Sequence, residues 1–290
     1  MSILANRNTR VIIQGITGTQ ASFHAKRSLD YGTNIVAGTS PKFDGQEHLG
    51  VPVFHNVAEA KQNTPIDASV LFVPATALKN AIKEVVEAEI PLAVSIADGV
   101  PLRDMLEIKS MLENSATTLI GSNTPGVITP QEARLGIFPE NIHHKGCIGI
   151  VSRASTLTYE AVIETNLVHL GQSTVVGIGD DMIVGTDYRK IIHLFHEDAE
   201  TKALILIGKS DGLYEQIAAE YYSNLTNKKP IIAFVAGEAL PFGDSMGYAG
   251  DIITRGRITV QDKKRLMRDS GMIVVDNIDQ IHSALQDLEL

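Results

Sequence analysis

Short apolar runs alternate with amphipathic segments along almost the whole chain. The run at 9–14 is rich in β-branched residues and ends at Gly15, a pattern typical of a buried strand. The segment at 23–31 has the pattern of a helix and stops at Gly32. Strands are predicted at 9–14, 34–38, 68–73, 92–96, 118–120, 147–152, 173–177, 203–207, 230–235 and 272–275, and helices at 23–31, 56–63, 77–88, 101–114, 155–170, 188–197, 213–225, 260–270 and 278–288. Alternation at this spacing predicts βαβ units and therefore parallel sheets with right-handed crossovers.

The alternation is interrupted once, between residues 121 and 146. Three prolines, four glycines and two adjacent histidines fall in this stretch without clear periodicity, which is typical of a connector. The sequence therefore predicts an α/β protein with three parts. These are a Rossmann-like domain over 1–122, a connector over 123–146 and a flavodoxin-like, doubly wound domain over 147–290.

Composition excludes several classes of function. The 290 residues carry a formal net charge of −9, and the basic residues form no stripe, so we expect no nucleic-acid partner. Cys147 is the only cysteine, which excludes an internal disulfide and a cysteine-based zinc site. No signal peptide and no membrane-spanning run is visible, so we expect a cytoplasmic protein that is not bound to a membrane.

A long glycine-punctuated loop at 237–256 follows the apolar run at 230–235. Loops of this length in compact α/β domains are uncommon and usually functional. Its centre reads Met246-Gly247-Tyr248-Ala249-Gly250, which places one large side chain between closely spaced glycines. We interpret this loop as a chemical loop that presents Tyr248.

The first predicted strand runs directly into a glycine loop before a helix, read as Gly15-Ile16-Thr17-Gly18-Thr19-Gln20-Ala21. Backbone N–H groups and the helix dipole at such a junction suit a phosphate, although a tight turn that needs glycine explains the pattern nearly as well. The spacing is not the dinucleotide fingerprint, and the second strand ends near Lys42 without the acid that an NAD site uses for the ribose. A ligand with a phosphate near its ribose, such as coenzyme A, fits better than NAD.

Several blocks in the same order as in a known family carry a specific resemblance. They are Gly15-Ile16-Thr17-Gly18 through His24, Tyr31-Gly32-Thr33, His48-Leu49-Gly50-Val51-Pro52-Val53-Phe54, Asn123-Thr124-Pro125-Gly126-Val127-Ile128-Thr129-Pro130, Gly149-Ile150-Val151-Ser152-Arg153, Thr156-Leu157-Thr158-Tyr159-Glu160-Ala161 and Gly171-Gln172-Ser173-Thr174. From end to end the chain resembles the α subunit of succinyl-CoA synthetase.

This resemblance implies a ligase of the tricarboxylic acid cycle that works as a hetero-oligomer. In the family the first domain binds CoA, the second carries a histidine that is phosphorylated during turnover, and a separate β subunit binds the Mg-NTP. The implied phosphate-binding residues are Ser155 and Thr156, and Tyr159 would face the substrate or the other subunit. The implied CoA-binding residues are Gly15, Thr17, Gly18, Thr19, Gln20, Ser40, Lys42, Val73, Pro74, Ile96, Asp98 and Asn123. Turn chemistry is the plainer explanation for Thr17, Ser40 and Asn123, but their recurrence at successive strand ends favours binding.

The chain departs from the family pattern at four loops. The family's Pro-Gly-Lys-Gly-Gly is Pro41-Lys42-Phe43-Asp44-Gly45 here, and Thr124 replaces a cysteine. Tyr248 replaces the phosphorylated histidine, and Lys209 replaces the glutamate that partners it. A phenol with a pKa near 10 is a poorer nucleophile at neutral pH than an imidazole with a pKa near 6.5. We therefore predict that Tyr248 fills the histidine's place without being phosphorylated, although Lys209 could lower its pKa.

Two functions follow as hypotheses. The first is an α-like subunit of an NTP-dependent acid–CoA ligase of the succinyl-CoA synthetase type, which acts on a small carboxylic acid with a β partner. The second is a CoA-binding, non-catalytic paralogue with a regulatory or assembly role. No metal site is predicted, because the pair His193 and His196 lacks a third ligand and Asp180-Asp181 is expected to be solvated.

Overall fold

The computed structural model describes residues 2–237 and 259–290, and within these ranges the chain divides into two compact units. The first unit contains Ser2–Asn141 together with Ile178–Thr186. The second contains Ile142–Gly177 and the described residues from Asp187 to Leu290. The segment Ile178–Thr186 therefore belongs to the first unit, although the residues before and after it in the sequence belong to the second.

The first unit is built on six parallel strands in the order β4-β2-β1-β5-β6-β7. This order is that of the dinucleotide-binding Rossmann fold, with the switch point between β1 and β5. The short strand β3 pairs antiparallel with β4 at the edge. The strands are β1 Val11–Gln14, β2 Ile35–Thr39, β3 Glu47–His48, β4 Val51–Phe54, β5 Ala68–Leu71, β6 Leu92–Ser95 and β7 Thr118–Ile120.

Helices of the first unit bury one apolar face each against this sheet. In α3 the buried positions Leu78, Ala81, Ile82 and Val85 recur at three- and four-residue spacing. They join strand residues such as Ile12 in one apolar core. Helix α2 begins after Asn56, whose side chain accepts a hydrogen bond from the backbone N–H of Glu59 and so caps the helix. The helices are α1 Thr19–Tyr31, α2 Val57–Asn63, α3 Leu78–Glu87 and α4 Leu102–Glu113, with a 3₁₀ turn at Ala75–Ala77.

The stretch predicted as a connector contains an antiparallel hairpin. Its strands are β8 Gly126–Thr129 and β9 Ala133–Gly136, and a 3₁₀ turn follows at Glu140–Ile142. Arg134 on β9 is buried and donates to the Ser28 hydroxyl and the His24 carbonyl oxygen of α1, at 2.9 and 3.2 Å. The hairpin is therefore packed onto the first unit by a buried guanidinium.

The second unit contains five parallel strands in the order β11-β10-β12-β13-β14. This is the flavodoxin order, so the predicted fold class is confirmed for both units. Helix α6 buries Tyr188, Ile191, Ile192 and Phe195, again at helical spacing. The elements are β10 Lys145–Ser152, α5 Ser155–Leu167, β11 Gln172–Gly177, α6 Tyr188–Glu197, β12 Ala203–Gly208, α7 Tyr214–Ser223, β13 Ile231–Val235, α8 Val260–Asp269, β14 Ile273–Val274 and α9 Ile281–Gln286, with a 3₁₀ turn at Ile278–Gln280.

Most predicted elements differ from the observed ones by only a few residues at their ends. The predicted start of α1 at residue 23 is wrong, because the helix begins at Thr19, directly after the glycine loop. The hairpins β3–β4 and β8–β9 were not predicted, since prolines and glycines within and beside their strands are typical of loops. Among the helices of residues 2–237 and 259–290, none has both the length and the apolar composition to cross a membrane.

Candidate functional site

The loop after β1 leads into the start of α1 without a side-chain cap. Gly15 has a φ of 77°, in the left-handed region that favours glycine, and its N–H donates to the Thr39 carbonyl oxygen at 2.9 Å. The N-cap is Gly18, and the first turn of the helix contains no acidic residue. Gly18, Thr19 and Gln20 are exposed. The first N–H groups of α1 thus form a positively polarised surface that suits a phosphate.

The loop after β2 lies against the first loop. The hydroxyl oxygens of Thr17 and Ser40 are 2.8 Å apart and share a hydrogen bond, and Ser40 is buried. Lys42 and Phe43 follow in an exposed turn, with Phe43 44% exposed. The structure therefore brings the first two predicted CoA-binding loops together, with Lys42 as an accessible cation.

The loops after β5 and β6 continue the same edge of the sheet. A side chain at Gly15 would approach the Phe72 carbonyl oxygen to 2.9 Å, so the loop after β1 passes close to the residue that precedes Val73 and Pro74. The Ile96 N–H donates to the Leu71 carbonyl oxygen at 3.2 Å, which ties β6 to β5 at their carboxyl ends. Asp98 follows in the exposed part of this loop.

Asn123 after β7 is held by hydrogen bonds on three sides. Its backbone N–H donates to the Ala97 carbonyl oxygen at 2.8 Å, and its own carbonyl oxygen accepts from the Asp180 N–H at 3.0 Å. Its side-chain nitrogen donates to Oδ1 of Asp181 at 3.1 Å, while the Ser122 hydroxyl donates to Oδ2 at 2.6 Å. The expectation that Asp181 is merely solvated is therefore wrong, because its carboxylate accepts hydrogen bonds from Ser122 and Asn123 in the loop after β7.

His24 lies on α1 close to the same edge, and the sequence predicted no role for it. Its ring stacks on Phe72 with centroids 5.9 Å apart, and its Nδ1 lies 3.1 Å from a guanidinium nitrogen of Arg134. A guanidinium only donates, so Nδ1 accepts and the ring is neutral with its proton on Nε2. Burial and the Arg134 charge lower the pKa of His24 to about 4.

A second set of predicted residues meets at the carboxyl ends of β10 and β12. The Arg153 N–H donates to the Ile207 carbonyl oxygen at 3.1 Å, which places the turn before α5 beside the end of β12. Helix α5 begins at Ser155 without a side-chain cap and with no acid in its first turn. Ser155 is half-buried and Thr156 exposed, while Tyr159 is half-buried one turn further along.

Lys209 follows β12 directly and is only 3% exposed. Its N–H donates to a Glu215 carboxylate oxygen at 3.0 Å, and its carbonyl oxygen accepts from the Lys263 ammonium at 2.8 Å. That ammonium also contacts the other Glu215 oxygen at 2.6 Å and the Asp211 carbonyl oxygen at 2.8 Å. The turn that carries Lys209 is thus fixed by a buried ion pair that sequence reasoning did not predict.

Arg153 adds a further buried charge beside this turn. It pairs with the Asp211 carboxylate at 3.0 Å and stacks on the Tyr214 ring at 4.6 Å. Although burial opposes its charge, the nearby carboxylates of Asp211 and Glu215 raise the pKa of Arg153 above its ordinary value. The end of β12 therefore holds a buried guanidinium beside the buried pair of Lys263 and Glu215.

Tyr248 and the rest of 238–258, which include the central motif of the predicted chemical loop, lie outside the described residues. In the part of the chain that the structure does describe, no group of three histidine, cysteine, aspartate or glutamate side chains could hold a metal ion.

Comparisons with known proteins match two different family models to the two halves of the chain. A family model for a CoA binding domain matches residues 6–99, and a second for a CoA-ligase matches residues 151–273. The chain is 46% identical over 279 residues to the α subunit of ADP-forming succinate–CoA ligase from Aquifex aeolicus, covering 96% of this chain and 91% of that one. It is 43% identical over 287 residues to the same subunit from Staphylococcus epidermidis, covering 99% and 95%.

Solved structures show the same fold at lower identity. ATP citrate lyase from Methanothrix soehngenii, solved with citrate and coenzyme A, matches with a TM-score of 0.88 and 21% identity over 99% of this chain. A dinucleotide-forming acetyl-coenzyme A synthetase from Ca. Korarchaeum cryptofilum matches with a TM-score of 0.75 and 17% identity over 95% of this chain. The present chain spans 52% and 59% of those two chains, so they correspond to it over only part of their length.

Proposed function

The chain belongs to the family of succinate–CoA ligase α subunits, and on that premise we propose that it binds CoA at the carboxyl edge of its first sheet and works in the cytoplasm with a β-type subunit. The complex would join a small carboxylic acid to CoA at the expense of a Mg-NTP bound by the partner. Neither membrane nor nucleic acid enters this proposal.

One observation carries the CoA assignment. The loops after β2, β1, β5, β6 and β7, which are five adjacent parallel strands, contain every residue predicted to bind CoA except Thr19 and Gln20, which begin α1 directly after the loop of β1. The uncapped start of α1 and the exposed Lys42 supply donors and positive charge for phosphate groups. Ligands of open α/β sheets bind at this edge, near the switch point.

The test is calorimetric titration of CoA into the full chain and two variants. We expect Lys42→Ala to weaken CoA binding by about ten- to hundredfold, since a charge-assisted phosphate contact is worth roughly 1.5–3 kcal/mol. The matched control is Lys26→Ala on α1, which removes an exposed lysine paired with Asp30. No binding of CoA to the wild-type chain, or equal losses in both variants, would contradict the assignment.

A second candidate function is that of a non-catalytic paralogue, which binds CoA and has a regulatory or assembly role but is not phosphorylated. The buried Lys209, at the position where the resemblance implies a glutamate, favours it, because an ammonium cannot accept the proton of a neighbouring imidazole or phenol. In this reading Ser155 and Thr156 keep the shape of a phosphate-binding helix start, and Tyr248 stays unphosphorylated.

The two functions are separated by phosphorylation of the assembled complex. The chain is incubated with its β-type partner, Mg²⁺ and γ-labelled ATP or GTP, and the labelled residue is mapped by mass spectrometry. Label on Tyr248 together with CoA ligation would establish the ligase and refute the non-phosphorylated reading. CoA binding without label or turnover would support the non-catalytic partner.

A further inference from the structure

The carboxamide of Asn123 is oriented by its neighbours. Its nitrogen faces Oδ1 of Asp181 at 3.1 Å, and a carboxylate can only accept, so the group on that side must be the NH₂. The carboxamide oxygen then lies on the opposite side of the group. Within 2–237 and 259–290 this oxygen accepts no hydrogen bond, while the backbone N–H and carbonyl of Asn123 are both engaged.

Asp181 is itself held in place. The Ser122 hydroxyl donates to Oδ2 at 2.6 Å, so the two carboxylate oxygens bridge consecutive residues of the loop after β7. The segment that carries Asp181 is tied to the same loop by the Gly121 N–H, which donates to the Ile178 carbonyl oxygen at 3.2 Å. The carboxylate therefore has little freedom to turn away from Asn123.

The position of Asn123 in the sheet suits one end of a long ligand. Its N–H is bonded to the carbonyl of Ala97, between Ile96 and Asp98. The ends of β1 and β7 are separated by three strand spacings, or about 14 Å. If phosphates bind at the start of α1, the pantetheine arm of CoA can reach the loop after β7.

We propose that Asp181 is a positioning residue that holds the Asn123 carboxamide with its oxygen toward the bound CoA, where it accepts a hydrogen bond from a donor of the pantetheine end. This inference rests on the proposed CoA site and goes further, because it assigns a role to a residue of the segment Ile178–Thr186. The donor is either an amide N–H or the terminal thiol.

The test compares two ligands in two matched variants by calorimetry. Asp181→Asn keeps the size of the side chain but offers both a donor and an acceptor, so Asn123 can adopt either amide orientation. We expect it to weaken binding of CoA about five- to tenfold, as for one lost hydrogen bond, and to leave binding of adenosine 3′,5′-bisphosphate unchanged. Asp180→Asn makes the same change of charge one residue away, keeps the backbone bond to Asn123, and is expected to bind both ligands as the wild type does.

Equal loss of both ligands in Asp181→Asn, or no loss of CoA affinity, would overturn the proposal. A second measurement does not need CoA. In the ¹⁵N-labelled wild-type chain the Asn123 side-chain amide should have a downfield, slowly exchanging proton that disappears in Asp181→Asn and persists in Asp180→Asn. If the wild type binds neither ligand, the proposed function fails together with the CoA-facing role. The amide resonance then still decides whether Asp181 orients Asn123.

Discussion

The buried pair of Lys263 and Glu215 allows a quantitative prediction about the turn that holds Lys209. Both side chains are 0% exposed, and all three ammonium protons of Lys263 have acceptors, on Glu215, Lys209 and Asp211. Removing one partner of such a pair leaves a buried charge without compensation and costs about 3–5 kcal/mol. We therefore expect Lys263→Met to destabilise the second unit by about 3–5 kcal/mol.

A double-mutant cycle separates the pair from simple loss of packing. Glu215→Gln alone turns an amide toward the ammonium and should also destabilise, whereas Lys263→Met with Glu215→Gln leaves no buried charge in the pair. We expect the two changes to be non-additive by about 2 kcal/mol or more. The matched control is Arg265→Met on the same helix, whose pair with Asp262 is exposed and should contribute less than about 1 kcal/mol.

Hydrogen exchange is the suitable assay, because the chain has no tryptophan and its two units need not unfold together. Exchange of the peptide that spans β12 and the Lys209 turn is followed by mass spectrometry at increasing urea concentrations. The reasoning is refuted if Lys263→Met costs no more than Arg265→Met, or if the cycle gives a coupling below about 0.5 kcal/mol.

Three further predictions concern the two candidate sites. Gly15→Ala should lower the free energy of unfolding by about 2–3 kcal/mol and weaken CoA binding, because the residue has a positive φ and the new carbon would lie 2.9 Å from a backbone oxygen. The control Gly32→Ala has a φ of 98° but open space around the new carbon, so it should cost about 1 kcal/mol and leave CoA affinity unchanged. Equal effects of the two variants on unfolding and on CoA binding would contradict this prediction. The pKa of His24 is lowered to about 4, so the unfolded chain takes up this proton near pH 6.5 and the folded chain does not. The free energy of unfolding should therefore fall by about 1–2 kcal/mol between pH 6.5 and 4. In urea unfolding, His24→Gln should make the free energy of unfolding depend less steeply on pH over this range. An unchanged pH dependence in this variant would be inconsistent with a neutral His24 ring. Tyr248→His together with Lys209→Glu should introduce acid-labile phosphate labelling in the assembled complex. Tyr248→His alone should give less labelling. Equal labelling of the two variants would contradict the role assigned to Lys209.

The regular elements of the fold were largely accessible from the sequence. The strand at 118–120 and the helix at 188–197 coincide with the observed β7 and α6, because buried strands and amphipathic helices leave local patterns of apolar residues. The hairpin β8–β9 left none, since Pro125 and Pro130 flank β8 and a buried arginine interrupts β9. Its position is decided by packing on α1 rather than by local propensity.

The polar contacts around the candidate sites could not be predicted for a different reason. Asp181 lies 58 residues from Asn123, and Lys263 lies 48 residues from Glu215. No local spacing connects such residues, so only the completed fold brings them together. The resemblance implied which residues bind CoA, and the structure shows which backbone and side-chain groups contact those residues.

The assignment of Ile178–Thr186 to the first unit has a consequence for the order in which the protein is made. When the ribosome has added residue 141 to the growing chain, it has not yet added Asp181, whose carboxylate orients Asn123. The hydrogen bonds that join Ser122 and Asn123 to Asp180 and Asp181 can form only when the segment Ile178–Thr186, nine residues from beyond β11, has also been synthesised. A fragment cut at residue 141 is accordingly expected to bind CoA more weakly than the full chain, and adding the peptide 178–186 should restore part of the loss. The CoA-binding half of this protein is thus encoded in two separate pieces of its gene.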